Sequence, residues 1–236
     1  MSKDTQMNIE QAMEFSLDYA KQLGSEADVV AKSSRSLDIS SEQKQVSQFS
    51  VNSSTVLGIR LQKGKKIGVS YSESLEGESL KYMVNQAINA TQISEEEPYQ
   101  CIRETPESDI DGTTDDIYID ESVEIQEKVA TAIKLERDLL EKDPLVKNAP
   151  YNGLSENENH LFYGNTMGTF CRQNSRSYSC FSSALLETDN KQAMHFKKSV
   201  ARRFVNLDVD QCLNDIYQSA RSILEGEAIN SGSYDV

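Results

Sequence analysis

The 236-residue chain has no tryptophan, two histidines, four prolines and four cysteines. Scarcity of histidine bears first on function. His160 and His195 stand far apart, and neither opens a helical two-histidine motif with an adjacent glutamate, the pattern that holds a catalytic zinc. Cys101, Cys171, Cys180 and Cys212 form no CxxC pair and no disulfide framework. The opening "MSKDTQMNIEQAMEF" has no apolar core of a secretory leader, and no run approaches the roughly 18 apolar residues of a membrane span. These absences lead to the expectation of a cytoplasmic protein with reduced thiols and no membrane role. No GxGxxG, P-loop or GxSxG occurs either, which removes the familiar phosphate cradles and the serine nucleophile elbow.

Positive charge is also short. Twenty-four Lys+Arg face 38 Asp+Glu, for a net charge of −14 and a pI near 4.6. Such a field repels a phosphate backbone, so no nucleic-acid partner is expected. The basic stretches "KGKK" (63–66) and "KKSVARR" (197–203) are short and alternate like solvent faces of strands.

What remains is periodicity. Asn8 caps an expected helix whose apolar residues Ile9, Ala12, Met13, Leu17, Ala20 and Leu23 form one stripe, with Gly24 at its C′ position. Extended runs follow over 27–39 and 49–61. A Lys63-Gly64 turn then leads to a return arm with Ile67, Val69 and Tyr71 on one face. Further helices are expected over about 75–93, 120–141 and 208–224, that over 120–141 in columns through Ile125, Val129, Ala132 and Leu139, and Ala130, Ile133 and Leu140. Strands fill 147–204, with Met194, Phe196, Lys198 and Val200 alternating. Strand runs between helices indicate an α+β fold: mostly antiparallel sheet packed with about four amphipathic helices. The expected organisation is one region over 1–230, with sub-units 1–94 and 120–230 joined by an acidic connection 95–119.

Chemistry is harder to find. A site drawing on His160, His195, Cys171 and Cys180 requires adjacent strands to bring them together, and their spacing gives no sign of it. Neither Cys171 nor Cys180 has a local base to activate it. "DIDGTTDDIYID" fails as a calcium loop, because its glycine is fourth from Asp109 instead of sixth and no glutamate closes it. No catalytic, cofactor-binding or metal residue is therefore assigned.

Several stretches carry a resemblance. "SSTVLGIRLQKGKKIGVSYSESLEGESLKYMVNQAINAT", the preceding "GSEADVVAKSSRSLDISSEQKQVSQFSVNSS" and the later "LFYGNTMGTFCRQNSRSYSC" resemble the N-terminal half of the TldD/PmbA family, proteins once labelled modulators of DNA gyrase and now regarded as metallopeptidase-family members. "TQISEEEPYQCI" and the last helix running into "SGSYDV" resemble the PmbA (TldE-like) branch. The resemblance implies a chain about half of a family member, with 231–236 opening a further half. In the TldD branch that further half carries a zinc motif, HExxxH; the PmbA branch lacks it. It also implies a zinc-bearing TldD-like protease partner, a shared chamber admitting unfolded peptides, and a non-catalytic role for this chain in interface and wall. Members are associated with peptide-antibiotic maturation and antitoxin degradation. The alternatives are an autonomous hydrolase built on the His and Cys residues, and a stand-alone binding or regulatory module.

Overall fold

The computed structural model describes residues 7–104, 118–227 and 230–233. The element order is α1 (Ile9–Gln22), β1 (Glu26–Glu42), β2 (Gln45–Lys63), β3 (Lys66–Ser72), α2 (Gly77–Ile93), α3 (Ile125–Leu140), β4 (Val146–Asn148), β5 (Gly153–Asn165), β6 (Phe170–Glu187), β7 (Gln192–Ala201) and α4 (Val209–Glu225), with a short 3-10 turn at Phe204–Asn206. The fold is α+β, with an antiparallel sheet ordered β3-β2-β1-β5-β6-β4 and β7 paired to β6. Compact packing divides the chain into unit 1 (Met1–Arg35, Asn52–Ile119, Glu158–Arg176) and unit 2 (Ser36–Val51, Asp120–Asn157, Ser177–Val236). Most of the acidic run expected to be a connection (105–117), and residues 234–236 of the expected further strand, lie outside the described residues.

In unit 1, α1 starts where its sequence says. Asn8 Oδ1 accepts from Gln11 N at 2.8 Å and Gln11 Oε1 accepts from Asn8 N at 3.0 Å, a reciprocal cap. Gly24, at φ +70°, lets the chain turn into β1. Ala27, Val29 and Ala31 of β1 and Leu57, Ile59 and Leu61 of β2 share a core with Leu80, Met83, Val84 and Ala87 of α2. Strands β2 and β3 meet at Lys63 and Lys66, with Gly64 at φ +63° in the turn. On β3 the expected apolar face is the outer one: Val69 and Tyr71 are 66% and 70% exposed. Helix α2 lies on the opposite face because Gly68 sits there. A Cβ at Gly68 would fall 1.9 Å from the Ala87 carbonyl oxygen, so the glycine sets how closely strand and helix approach.

In unit 2, α3 begins at Ile125, five residues after the expected Asp120. The preceding chain is extended and is held in part by Glu121, whose carboxylate accepts from Phe204 N at 2.8 Å. The buried face of α3 also differs from the apolar columns. Ile125 is 45% exposed, whereas Lys128, Ala132, Leu135, Glu136 and Leu139 point inward. Lys128 Nζ pairs with Glu156 on β5 at 2.5 Å and lies 5.9 Å from the Tyr178 ring centre. Glu136 accepts the backbone amides of Gln43 and Lys44 at 2.8 and 2.9 Å. Those two residues make the β1–β2 turn at φ +55° and +60°. That conformation costs about 1–2 kcal/mol per non-glycine residue, and a buried carboxylate on two amides offsets it. Helix α4 is capped by Asp208 and buries Cys212, Leu213, Ile216, Tyr217, Ala220 and Leu224 of the stripe Val209, Cys212, Leu213, Ile216, Tyr217, Ala220, Ile223 and Leu224 that its spacing predicts; Val209 is partly buried and Ile223, at the edge of the stripe, is 54% exposed.

The close approach at Gly68 yields a paired test. Gly68→Ala is expected to destabilise the protein by about 3 kcal/mol or more through overpacking. Gly58→Ala, where a new Cβ meets nothing nearer than 3.9 Å, should cost under about 1 kcal/mol. Urea unfolding of both variants measures this; equal losses would contradict the packing account.

Candidate functional site

The residues weighed as metal ligands or nucleophiles fall in different surroundings. In unit 1, His160 sits on β5 and Cys171 on β6. In unit 2, Cys180 on β6 is fully buried in the core, and His195 on β7 lies opposite Ala184. The thiol of Cys212 and burial push the Cys180 thiol far above its ordinary value, which keeps it protonated and poorly nucleophilic. Among the described residues no three His, Cys, Asp or Glu side chains converge in a metal-holding group, and no helix is long and apolar enough to cross a membrane.

His160 does belong to a polar cluster in unit 1. Its Nδ1 is 2.9 Å from Asn174 Oδ1, and its Nε2 is 3.3 Å from Glu158 Oε1. Glu158 also accepts from the Tyr118 hydroxyl at 3.0 Å and from Arg176 Nη2 at 3.4 Å. Arg176 stacks over the Tyr118 ring at 5.1 Å and donates to the Ile119 carbonyl at 3.4 Å. Burial pushes the Glu158 carboxyl up, but the Tyr118 hydroxyl, Arg176 and His160 together hold it below its ordinary value. These contacts clasp Tyr118 and Ile119 to the strands. The alternation Glu156, Glu158, His160, Phe162 along β5 was its sequence signal: polar residues on the same parity as buried Leu154 and Phe162.

A second feature lies on the sheet face of unit 2 turned away from α4. In the β6–β7 register, Leu185 faces Met194, Ser183 faces Phe196 and Ser179 faces Val200, so these side chains share one surface. The alternating row of β7, read from the sequence as an ordinary strand pattern, is exposed: Met194 by 45%, Phe196 by 48% and Val200 by 62%. The Phe181 and Phe196 rings lie tilted at 40° with centres 5.8 Å apart, and Tyr151, also exposed, is held beside them by Ser183 through its backbone. The inward parity of β7 carries Ala193, and its Lys197 reaches Asp215 of α4. Lys198, exposed on the same parity, stands between Phe196 and Val200, so the face presents three exposed apolar side chains and one cation.

The family description "PmbA/TldA metallopeptidase domain 1" matches residues 27–91, and "PmbA/TldA metallopeptidase central domain" matches residues 118–222. A search of curated proteins found no match. Among solved structures, a proposed modulator of DNA gyrase from Thermotoga maritima superposes with a TM-score of 0.77 at 18% identity, over 95% of this chain and 50% of that one. TldE from Thermococcus kodakarensis gives 0.70 at 18% identity, over 89% and 47%. A proposed modulator of DNA gyrase from Bacteroides thetaiotaomicron gives 0.78 at 13% identity, over 95% and 52%. At these identities the structures establish the fold. The chain spans about half the length of each of them.

The clasp around Glu158 has a defined pH signature. Its folded-state value lies below the ordinary 4.5, so its contribution is full above 4.5 and is lost as pH falls through the lower folded value. Glu158→Gln should therefore be less stable than the parent chain at neutral pH, with the gap closing as pH falls below 4.5. Thermal unfolding across pH 3–7 checks this; a pH-independent gap would contradict the clasp.

Proposed function

The chain belongs to the PmbA/TldD family, and from that premise we propose that it is the N-terminal, non-catalytic part of a PmbA/TldE-like subunit. Its role in this reading is to supply interface and chamber wall to a zinc-bearing TldD-like protease subunit that processes unfolded peptides in the cytoplasm. The observation that carries the reading is the exposed face of β7, where Met194, Phe196 and Val200 flank Lys198 and Phe181 lies behind Phe196. Covering that row would contribute on the order of 1 kcal/mol per half-exposed side chain, which favours association and gives nothing to catalysis. In this reading, which rests on the resemblance to the PmbA branch, zinc chemistry belongs to the partner and no catalytic step is assigned to this chain. A stand-alone binding module is the second reading, and the same exposed row would serve it.

Association distinguishes the two. Mixed with a TldD-like subunit from the same genome, the chain is expected to co-elute as a stoichiometric complex in size-exclusion chromatography with light scattering. Phe196→Asp combined with Val200→Asp should weaken that complex at least tenfold, about 1.4 kcal/mol, while circular dichroism of the chain alone is unchanged. The chain alone should carry no stoichiometric zinc. Tight zinc with peptidase activity in the isolated chain, or a complex indifferent to both substitutions, would overturn the proposal.

A further inference from the structure

Unit 2 buries two of the four cysteines in one core, Cys180 completely and Cys212 to 3% exposure. Cys180 points inward from β6, on the parity of buried Tyr178, Ser182 and Ala184, and lies opposite Ser199 of β7. Helix α4 covers this side of the sheet. Lys197, opposite Ser182, reaches Asp215 of α4, and Cys212 stands three residues before Asp215 on the same helix face. From Asp215 to Cys212 the helix advances about 4.5 Å; from Ser182 to Cys180 the strand advances about 6.4–6.8 Å. These paired steps bring the two thiols together, and a hydrogen bond joins them.

The two sulfurs are not equivalent. Cys212 is the fourth residue of α4, and its amide donates to the Asp208 carbonyl at 3.0 Å, within the first turn. The Cys180 thiol, and after it the Lys197 ammonium, hold the Cys212 thiol below its ordinary value against burial and the carboxylates of Asp215 and Asp208. Cys212 thus has the thiolate character and Cys180 keeps the proton. We propose that Cys180 and Cys212 form a reversible disulfide on exposure to a hydroperoxide, fastening the first turn of α4 to β6. In the first step the Cys212 thiolate attacks the terminal peroxide oxygen. An S–O bond forms and the O–O bond breaks; the sulfur is oxidised to a sulfenic acid, and the departing oxygen takes a proton from water. In the second step the Cys180 sulfur attacks the sulfenic sulfur. The S–S bond forms, and the hydroxyl leaves with the Cys180 proton as water. The first step prepares the second, because Cys212 is the main influence that holds Cys180 protonated and its thiolate charge is then gone. The pair lies on the α4 side of the sheet, so the inference stands or falls separately from assembly through the outer face of β7.

The test treats the folded 236-residue chain with hydrogen peroxide, blocks the remaining thiols with N-ethylmaleimide after denaturation, and maps a non-reducing tryptic digest by mass spectrometry. The expected product is the peptide holding Cys180 joined to the one holding Cys212, two hydrogens lighter than their sum and separated again by dithiothreitol. Exposed Cys101 serves as the internal gauge of oxidant dose. The variant C101S/C171S, whose changes lie in unit 1, should form the same link at the same rate. Closing a loop of about 30 residues narrows the unfolded ensemble. The oxidised C101S/C171S chain should therefore unfold at a midpoint at least about 5 °C above its reduced form. Adding C212S should abolish both link and shift, with circular dichroism verifying the fold. Absence of the link once Cys101 is fully oxidised, links through Cys101 or Cys171 as frequent as Cys180–Cys212, a link that forms only in urea, or a link without the shift would overturn the proposal.

Discussion

Helix α3 turns two charged residues inward, and the arrangement of unit 2 depends on how they are met. Lys128 is answered by Glu156 on β5 and by the Tyr178 ring, and Glu136 by the amides of the β1–β2 turn. Removing two charges from water is costly, and purely apolar residues would often pack at least as well. The pairs do what apolar packing does less sharply: each charge has one acceptable position. Two such points, two turns apart on one helix, fix the rotation and axial position of α3 against the strands. With α3 and α4 committed to one side of β6 and β7, the alternation of β7 leaves Met194, Phe196 and Val200 on the other.

Much of this was legible in the chain, and the failures share a cause. The cap at Asn8, the Gly64 turn and the stripe of α4, Ile223 excepted, are local patterns that lie where they were expected. The β1–β2 turn at Gln43-Lys44 lacks glycine and asparagine, so nothing nearby announces it; its compensation comes from Glu136, over ninety residues away. On β3 the apolar alternation pointed to one face, but the helix takes the face with Gly68, since backbone approach outweighs side-chain burial there. The late start of α3 and its charged inner face likewise answer to partners on other elements.

The same contrast applies to function. The residues with the most chemical promise, His160, His195, Cys171 and Cys180, are parts of strands, with His160 bound into a polar clasp and Cys180 closed in a core. The β7 residues proposed to meet a partner carry no motif: their alternation looks like any strand, and exposure, which pattern alone does not supply, sets them apart.

The central claim is that the β7 face is covered in the assembled protein. Hydrogen exchange followed by mass spectrometry, on this chain alone and with a TldD-like subunit, addresses it directly. The account predicts slowed exchange concentrated in Gln192–Ala201 when the complex forms, with the peptides of α1 and α2 unchanged. A complex that forms while β7 exchanges at its free rate would contradict it.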